Sequence, residues 1–209
     1  MCSERLTVYV VDDDASVRDS IALMLGLAGY RTAVFADAEA FLAAWKDDWV
    51  GCVIADVRLP GRNGVELQNE LLRRGTSLPF VIITAHGDVP TARAAFHSQA
   101  VDFLEKPFDH LQLRAAIDAA FALEQRRIQR HDSRRLDAEK LGRLTSRERE
   151  VLDQAARGLH AKEIAAILGI SPRTVEVHKT RIMEKLDVRN VAELVRFAMA
   201  ATPPEGDDG

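Results

Sequence analysis

Four short apolar runs in the first half of this chain each end on a polar residue, and helical patterns separate them. Leu6–Val11 runs into Asp12, Asp13 and Asp14; Cys52–Ala55 runs into Asp56; Phe80–Ile83 runs into Thr84; and the run 101–105 ends on Lys106, followed by Pro107. A fifth strand-like run lies at 31–35. Helical spacing of apolar residues fills 15–28, 37–45, 63–74 and 89–98, and resumes near 109. Strands that are apolar almost throughout, alternating with helices, predict a parallel sheet covered on both faces.

Five such units in about 120 residues predict an α/β flavodoxin-like fold with strand order 2-1-3-4-5. Strand 1 then lies beside strand 3, so Asp12 and Asp13 neighbour Asp56 despite the 44 residues from Asp12 to Asp56. Open parallel sheets bind ligands outside the carboxyl ends of their strands. Taken singly, an acid, a threonine or a lysine at a strand end is a solvated loop residue. Four successive strand ends collecting them on one edge suit a divalent cation and a phosphoryl group. An aspartate can attack a phosphoryl group and form an acyl phosphate. Such transfer needs positioning and charge neutralisation. Asp12, Asp13 and Asp56 offer the oxygens that Mg²⁺ (or Mn²⁺) prefers. Lys106 can neutralise one phosphoryl oxygen, and Thr84 can hydrogen-bond another.

At 209 residues the chain has room for one large or two small domains. Its net charge of −4 hides an asymmetry. Residues 1–123 hold 11 basic and 17 acidic side chains, 124–140 hold 6 and 4, and 141–202 hold 11 and 8. A mildly basic second module on an acidic first one is compatible with nucleic-acid binding but does not establish it. No apolar stretch reaches the roughly 18 residues of a membrane span. The start runs into a strand pattern without a signal peptide. Cys2 and Cys52 show neither disulfide nor metal-type spacing, and the reading is a cytoplasmic protein.

The first domain is read as 1–123. Glu124–Lys140, rich in Arg and Gln and free of Pro and Gly, makes 124–142 a helical linker. Its apolar residues build no heptad seam, so no coiled coil is predicted. In the second domain, 143–202, Thr145 and Glu148 form a capping-box pattern, and that helix should stop at Gly158. A short helix at 161–168 ends on Gly169. Ser171 then caps a helix with Pro172 in its first position, running to Leu186. Asn190 and Glu193 cap a fourth at 191–201. A tight glycine-containing turn between short helices predicts a helix-turn-helix. The tail 203–209 is read as disordered.

The segments VVDDD, ADVRLPGRNG, VIITAHGDVP and VDFLEKPF resemble the receiver domains of two-component response regulators across 5–123. The resemblance implies that Asp56 is the phosphoacceptor. It implies Mg²⁺ held by Asp13, Asp56 and the main-chain carbonyl of Arg58, with Asp12 acting partly through water. Thr84 and Phe103 would be the switch pair, Lys106 would pair with the phosphate, and the Lys106–Pro107 bond is often cis in the family. Phe103 stands where many receivers have Tyr. Arg58 and His86 lie where they can crowd a hydrolytic water, or simply face solvent.

The segments LTSREREVL, GLHAKEIAAILGIS and PRTVEVHKTRIMEKLDV resemble the LuxR-type helix-turn-helix of the FixJ/NarL family over 143–201. The whole chain is most similar to FixJ-type regulators. The implied recognition helix is 172–186. Arg173, Thr174, Glu176, Val177, His178, Lys179 and Arg181 are candidates for the major groove, and Lys162 and Lys185 for phosphates. Glu176 either accepts from cytosine N4 or tunes Arg173. Ala161 replaces the Asn usual before the scaffold Lys-Glu-Ile. Val191, Leu194, Val195 and Ala198 are candidates for a dimer contact, with some of them packing on the core. The helix near 89–98 and the strand near 101–105 offer a second dimer surface.

Together these imply a phosphorylation-activated transcription factor. A sensor histidine kinase would phosphorylate Asp56, and the regulator would dimerise, bind promoter DNA and engage RNA polymerase. No enzyme activity is expected beyond slow autodephosphorylation. Two rivals stay open. One is a constitutive DNA-binding regulator with a phosphorylation-independent receiver. The other is an aspartyl-phosphate phosphohydrolase, although Arg58 stands where such enzymes want a second Asp.

Overall fold

The computed structural model describes residues 6–85 and 100–201, with the backbone alone at 191, 196 and 199–201. Two compact units divide it, Met1–Ile128 and Gln129–Gly209. The first holds strands β1 (Thr7–Val11), β2 (Arg31–Phe35), β3 (Gly51–Asp56), β4 (Phe80–Thr84) and β5 (Asp102–Glu105). Helices α1 (Ala15–Leu27), α2 (Ala38–Ala44) and α3 (Gly64–Arg73) connect the first four. All neighbours are parallel, in the order β2-β1-β3-β4-β5, as expected from the alternation of elements.

Strand period dictates the two cores. Val8, Val10, Cys52, Ile54, Val81 and Ile83 point to one face and pack with Ile21 and Leu25 of α1. That layer is completed by Leu113, Ile117 and Phe121 of α4 (His110–Gly142). Tyr9, Val11, Val53, Ala55, Phe80 and Ile82 point to the other face and pack with Phe41 of α2 and with Leu67 and Leu71 of α3. Every residue of β3 and β4 is buried, whereas edge strand β2 leaves Val34 exposed. This explains why β3 and β4 read as unbroken apolar runs.

The helix α4 runs for 33 residues without a break. Its buried residues end at Glu124, whose carboxylate receives two hydrogen bonds of 2.7 Å from Arg127. Positions 129–136 are all exposed. The second unit adds α5 (Ser146–Ala156), α6 (Ala161–Leu168), α7 (Pro172–Leu186) and α8 (Val191–Ala201) around a core of Val151, Leu152, Ile164, Val175, Ile182 and Leu186. Thr145 and Glu148 form the capping box of α5. Gly169 ends α6 at φ 65°, a left-handed position suited to glycine, and Ser171 caps α7 with Pro172 first. Among the described residues no helix is long and apolar enough to cross a membrane.

Candidate functional site

Register places the site at the strand ends. Val11 lies opposite Ala55, so Asp12 and Asp56 leave the sheet side by side. Asp12 is fully buried and Asp56 is 6% exposed. Buried carboxylates must be compensated, and both are compensated alike. One oxygen of each takes a backbone N–H two residues on: Asp12 from Asp14 at 2.9 Å, Asp56 from Arg58 at 2.8 Å. The other oxygen of each turns to Lys106. The ammonium lies 2.7 Å from Asp12 Oδ2 and also donates to Asp56 Oδ2. Burial pulls the Lys106 pKa down, but the hydrogen bonds and charges of Asp12 and Asp56 outweigh it, and the net shift is upward. Lys106 therefore stays charged. The bond from Lys106 to Pro107 is cis.

Thr84, at the end of β4, is 1% exposed. Phe103 of β5 is partly buried against the Val53–Ile82 core layer. His86 and the helix expected at 89–98 lie outside the described residues. Asp13 is exposed, and among the described residues no three carboxylate, imidazole or thiolate groups close into a metal-holding cluster. The three acids expected together are thus a joined pair with Asp13 at the surface beside it. The donor chemistry still suits a hard cation: two buried carboxylates already share one positive charge.

Three supporting residues escape a reading by residue type. Arg18 donates to the Asp12 carbonyl at 2.6 Å. Asp14 caps α1 by accepting from the Ser16 N–H at 2.8 Å. Gly64 opens α3 so close to β3 that a Cβ there would lie 2.4 Å from the Asp56 carbonyl oxygen. Its signal was in the sequence as the glycine closing PGRNG, readable only as a loop until the α3–β3 approach is known.

In the second unit, α7 buries the stripe Val175, Lys179, Ile182 and Leu186. Arg173, Glu176, Val177 and Arg181 are exposed, Val177 at 44%, and Thr174 and His178 are half-buried. Lys162 is exposed near the start of α6. Two expected DNA contacts stand elsewhere. Lys179 is 7% exposed because it falls four residues after Val175 on the core stripe. The ammonium of Lys185 lies 2.6 Å from Glu148, a carboxylate at the start of α5. His178 keeps Nδ1 buried without a hydrogen-bond partner. Thr180, not anticipated, is exposed on the outer face and bonds back to the Glu176 carbonyl at 3.1 Å. On α8, Leu194 and Ala198 are buried in the domain core, which leaves Val195, partly exposed, as a surface candidate. The side chain of Val191 lies outside the described set.

The chain matches the response regulator receiver domain model over residues 8–118 and the model of bacterial regulatory proteins, luxR family, over 142–198. It is 42% identical to the transcriptional regulatory protein FixJ of Azorhizobium caulinodans, covering 98% of this chain and 97% of that protein. The transcriptional regulatory protein TdiR of Thauera aromatica is 38% identical, with coverages of 97% and 89%. Among solved structures, the response regulator StyR aligns with a TM-score of 0.81 at 40% identity, covering 93% of this chain and 98% of that one. Full-length FixJ from B. japonicum aligns at 0.58 and 41% identity, covering 94% and 97%. A receiver of this kind takes its signal from a histidine kinase, and a luxR-family domain binds DNA. Two matched domains in one chain, with relatives alike along nearly its whole length, leave a single assignment: the chain belongs to the two-component response regulators and is a transcriptional regulator, not a classical enzyme.

Proposed function

We propose that Asp56 is the phosphoacceptor and that its phosphorylation drives dimerisation and sequence-specific promoter binding, most plainly as an activator acting with RNA polymerase. The observation that carries this reading is the ammonium of Lys106 shared between buried Asp12 and Asp56. An Asp56 oxygen attacks phosphorus, the bond from phosphorus to the donor breaks, and an acyl phosphate results. Lys106 then trades carboxylate partners for a phosphoryl oxygen, and Thr84, from the next strand, hydrogen-bonds another. Phe103 follows by turning inward, which links the site to the β5 surface. Asp13, Asp56 and the Arg58 carbonyl would hold Mg²⁺, with Asp12 through water. The ion, when bound, supplies charge neutralisation for phosphoryl transfer. The acyl phosphate hydrolyses slowly in the same site, at a rate that the exposed Arg58 tunes.

On DNA, α7 would enter the major groove with Arg173, Val177 and Arg181 outward, and Lys162 would reach phosphate. Lys179 and Lys185 leave that set, being engaged within the domain. Dimerisation through α8, with Val191 and Val195, matches a two-fold site and adds affinity that few phosphate contacts cannot give alone.

The test is footprinting on promoter DNA with and without acetyl phosphate or beryllofluoride, for wild type and Asp56→Asn. Protection should appear at about 10-fold lower wild-type protein after treatment, as a population shift of some 1.4 kcal/mol would give. Asp56→Asn should not respond. Equal binding throughout would instead support the constitutive reading.

A further inference from the structure

We infer that Glu176 is a base-reading residue that selects cytosine, and that Lys179 is the positioning residue which holds its carboxylate for that task. The inference rests on the placement of α7 in the major groove. Of the four residues in the buried stripe of α7, three are apolar and one is a lysine. A buried lysine must bring its ammonium to a partner or to water. The side chain of Lys179 is 9% exposed, and its ammonium emerges 3.5 Å from the carboxylate of Glu176, which is 62% exposed. The three-residue spacing sets both on one flank of the helix.

An ion pair between two free surface side chains adds little. Here one end is different, because the stem of Lys179 is buried on the same helix stripe as the core residues Val175, Ile182 and Leu186, which restricts its motion. The fixed cation limits where the carboxylate can swing and partly offsets its repulsion from DNA phosphates. The pairing also decides between the two roles open to Glu176: its partner is Lys179, and not Arg173.

An ionised carboxylate only accepts hydrogen bonds. In the major groove, guanine offers acceptors at N7 and O6, and thymine offers O4 and a methyl group. Both repel it. Adenine offers an N6 donor beside an N7 acceptor, whereas cytosine offers its N4 donor alone. A single carboxylate on a short tether therefore favours cytosine, and it acts as much by excluding the other bases as by attraction.

Binding sites should be selected from a randomised duplex library using full-length protein treated with beryllofluoride. The proteins are wild type, Glu176→Gln, Lys179→Arg and Lys179→Met, each checked by thermal melting. Wild type should enrich cytosine at one position per half-site. Replacing that cytosine should weaken binding about 10-fold, within the usual discrimination of a good base contact. Glu176→Gln should lose that preference, or turn it to adenine, and keep the others. Lys179→Met should fold and bind but discriminate several-fold less at that position, and Lys179→Arg should retain discrimination. A site preference unchanged by Glu176→Gln overturns the inference, and full discrimination in Lys179→Met overturns the role of Lys179. Failure of wild type to enrich any sequence would overturn the groove placement of α7 itself, and the base-reading role with it.

Discussion

Asp12 and Asp56 are buried around one ammonium, so neither is self-sufficient. Lys106→Met would leave two neighbouring carboxylates without their cation. Losing one partner of a buried ion pair costs about 3–5 kcal/mol, and Lys106 is 21% exposed, which points to the lower end. Urea unfolding of the metal-free protein should show a loss of about 3 kcal/mol. Added Mg²⁺ should restore part of it, as a ligand of the native acids would. Gly64 sets a second limit. Gly64→Ala must displace the Asp56 backbone, costing about 1–3 kcal/mol in an over-packed contact, and should slow labelling of Asp56 by acetyl phosphate. In the second unit, Glu148 feels burial, which raises its pKa, but Lys185 and Thr145 outweigh it and hold it at about 2. An unfolded Glu titrates near 4.3. A depressed folded pKa gives stability that is complete above about 4.3 and lost as pH falls toward 2. Melting of the DNA-binding unit should therefore drop over that window. Glu148→Gln should begin less stable and show a flatter dependence; an identical slope would remove Glu148 from the account.

At the scale of elements, the helix α4 changes character along its length. Up to Glu124 it buries a face in the receiver core; across 129–136 every position is exposed. Helical stability comes mostly from packing, so amide exchange in 129–139 should be much faster than in 113–124. Uniform protection would mean that other contacts hold the linker. Strands, helices and caps were legible in the sequence because each obeys a local rule. The central strands β3 and β4 are buried on both faces, and Thr145–Glu148 and Ser171–Pro172 sit at fixed offsets. Convergence of Asp12, Asp56, Thr84 and Lys106 was legible as well, since strand order follows from the alternation. What escaped depends on contacts between elements. Lys185 meets Glu148 across 37 residues, and Gly64 matters only through its approach to Asp56. Lys179 is a different case. Its spacing from Val175 and Ile182 marked it as inward, but its charge suggested the surface. Leu194 and Ala198 were ambiguous because an apolar helix face serves a core and a dimer equally well.

Across the whole molecule, charge divides the labour between an acidic receiver and a basic output domain. DNA affinity should fall with salt, the log–log slope changing by about 0.9 for each phosphate contact. Lys162→Ala should flatten that slope by about 1 per protomer. Lys185→Ala should leave it near the wild-type value, since its ammonium faces Glu148, and any loss there should appear in thermal stability instead. The shared ammonium has one more consequence, for the order of events. Asp12 and Asp56 share the charge of Lys106, and with Asp13 and Asp14 exposed next in the chain the carboxylates outnumber the cations Lys106 and Arg18, so an excess of negative charge remains at the mouth of the site. A phosphate-bearing donor is an anion and meets that excess as a barrier. The resting site is thus an electrostatic turnstile: it admits cations freely and turns anions away until its acids have been answered. Phosphoryl donors should compete poorly at low magnesium however abundant they are.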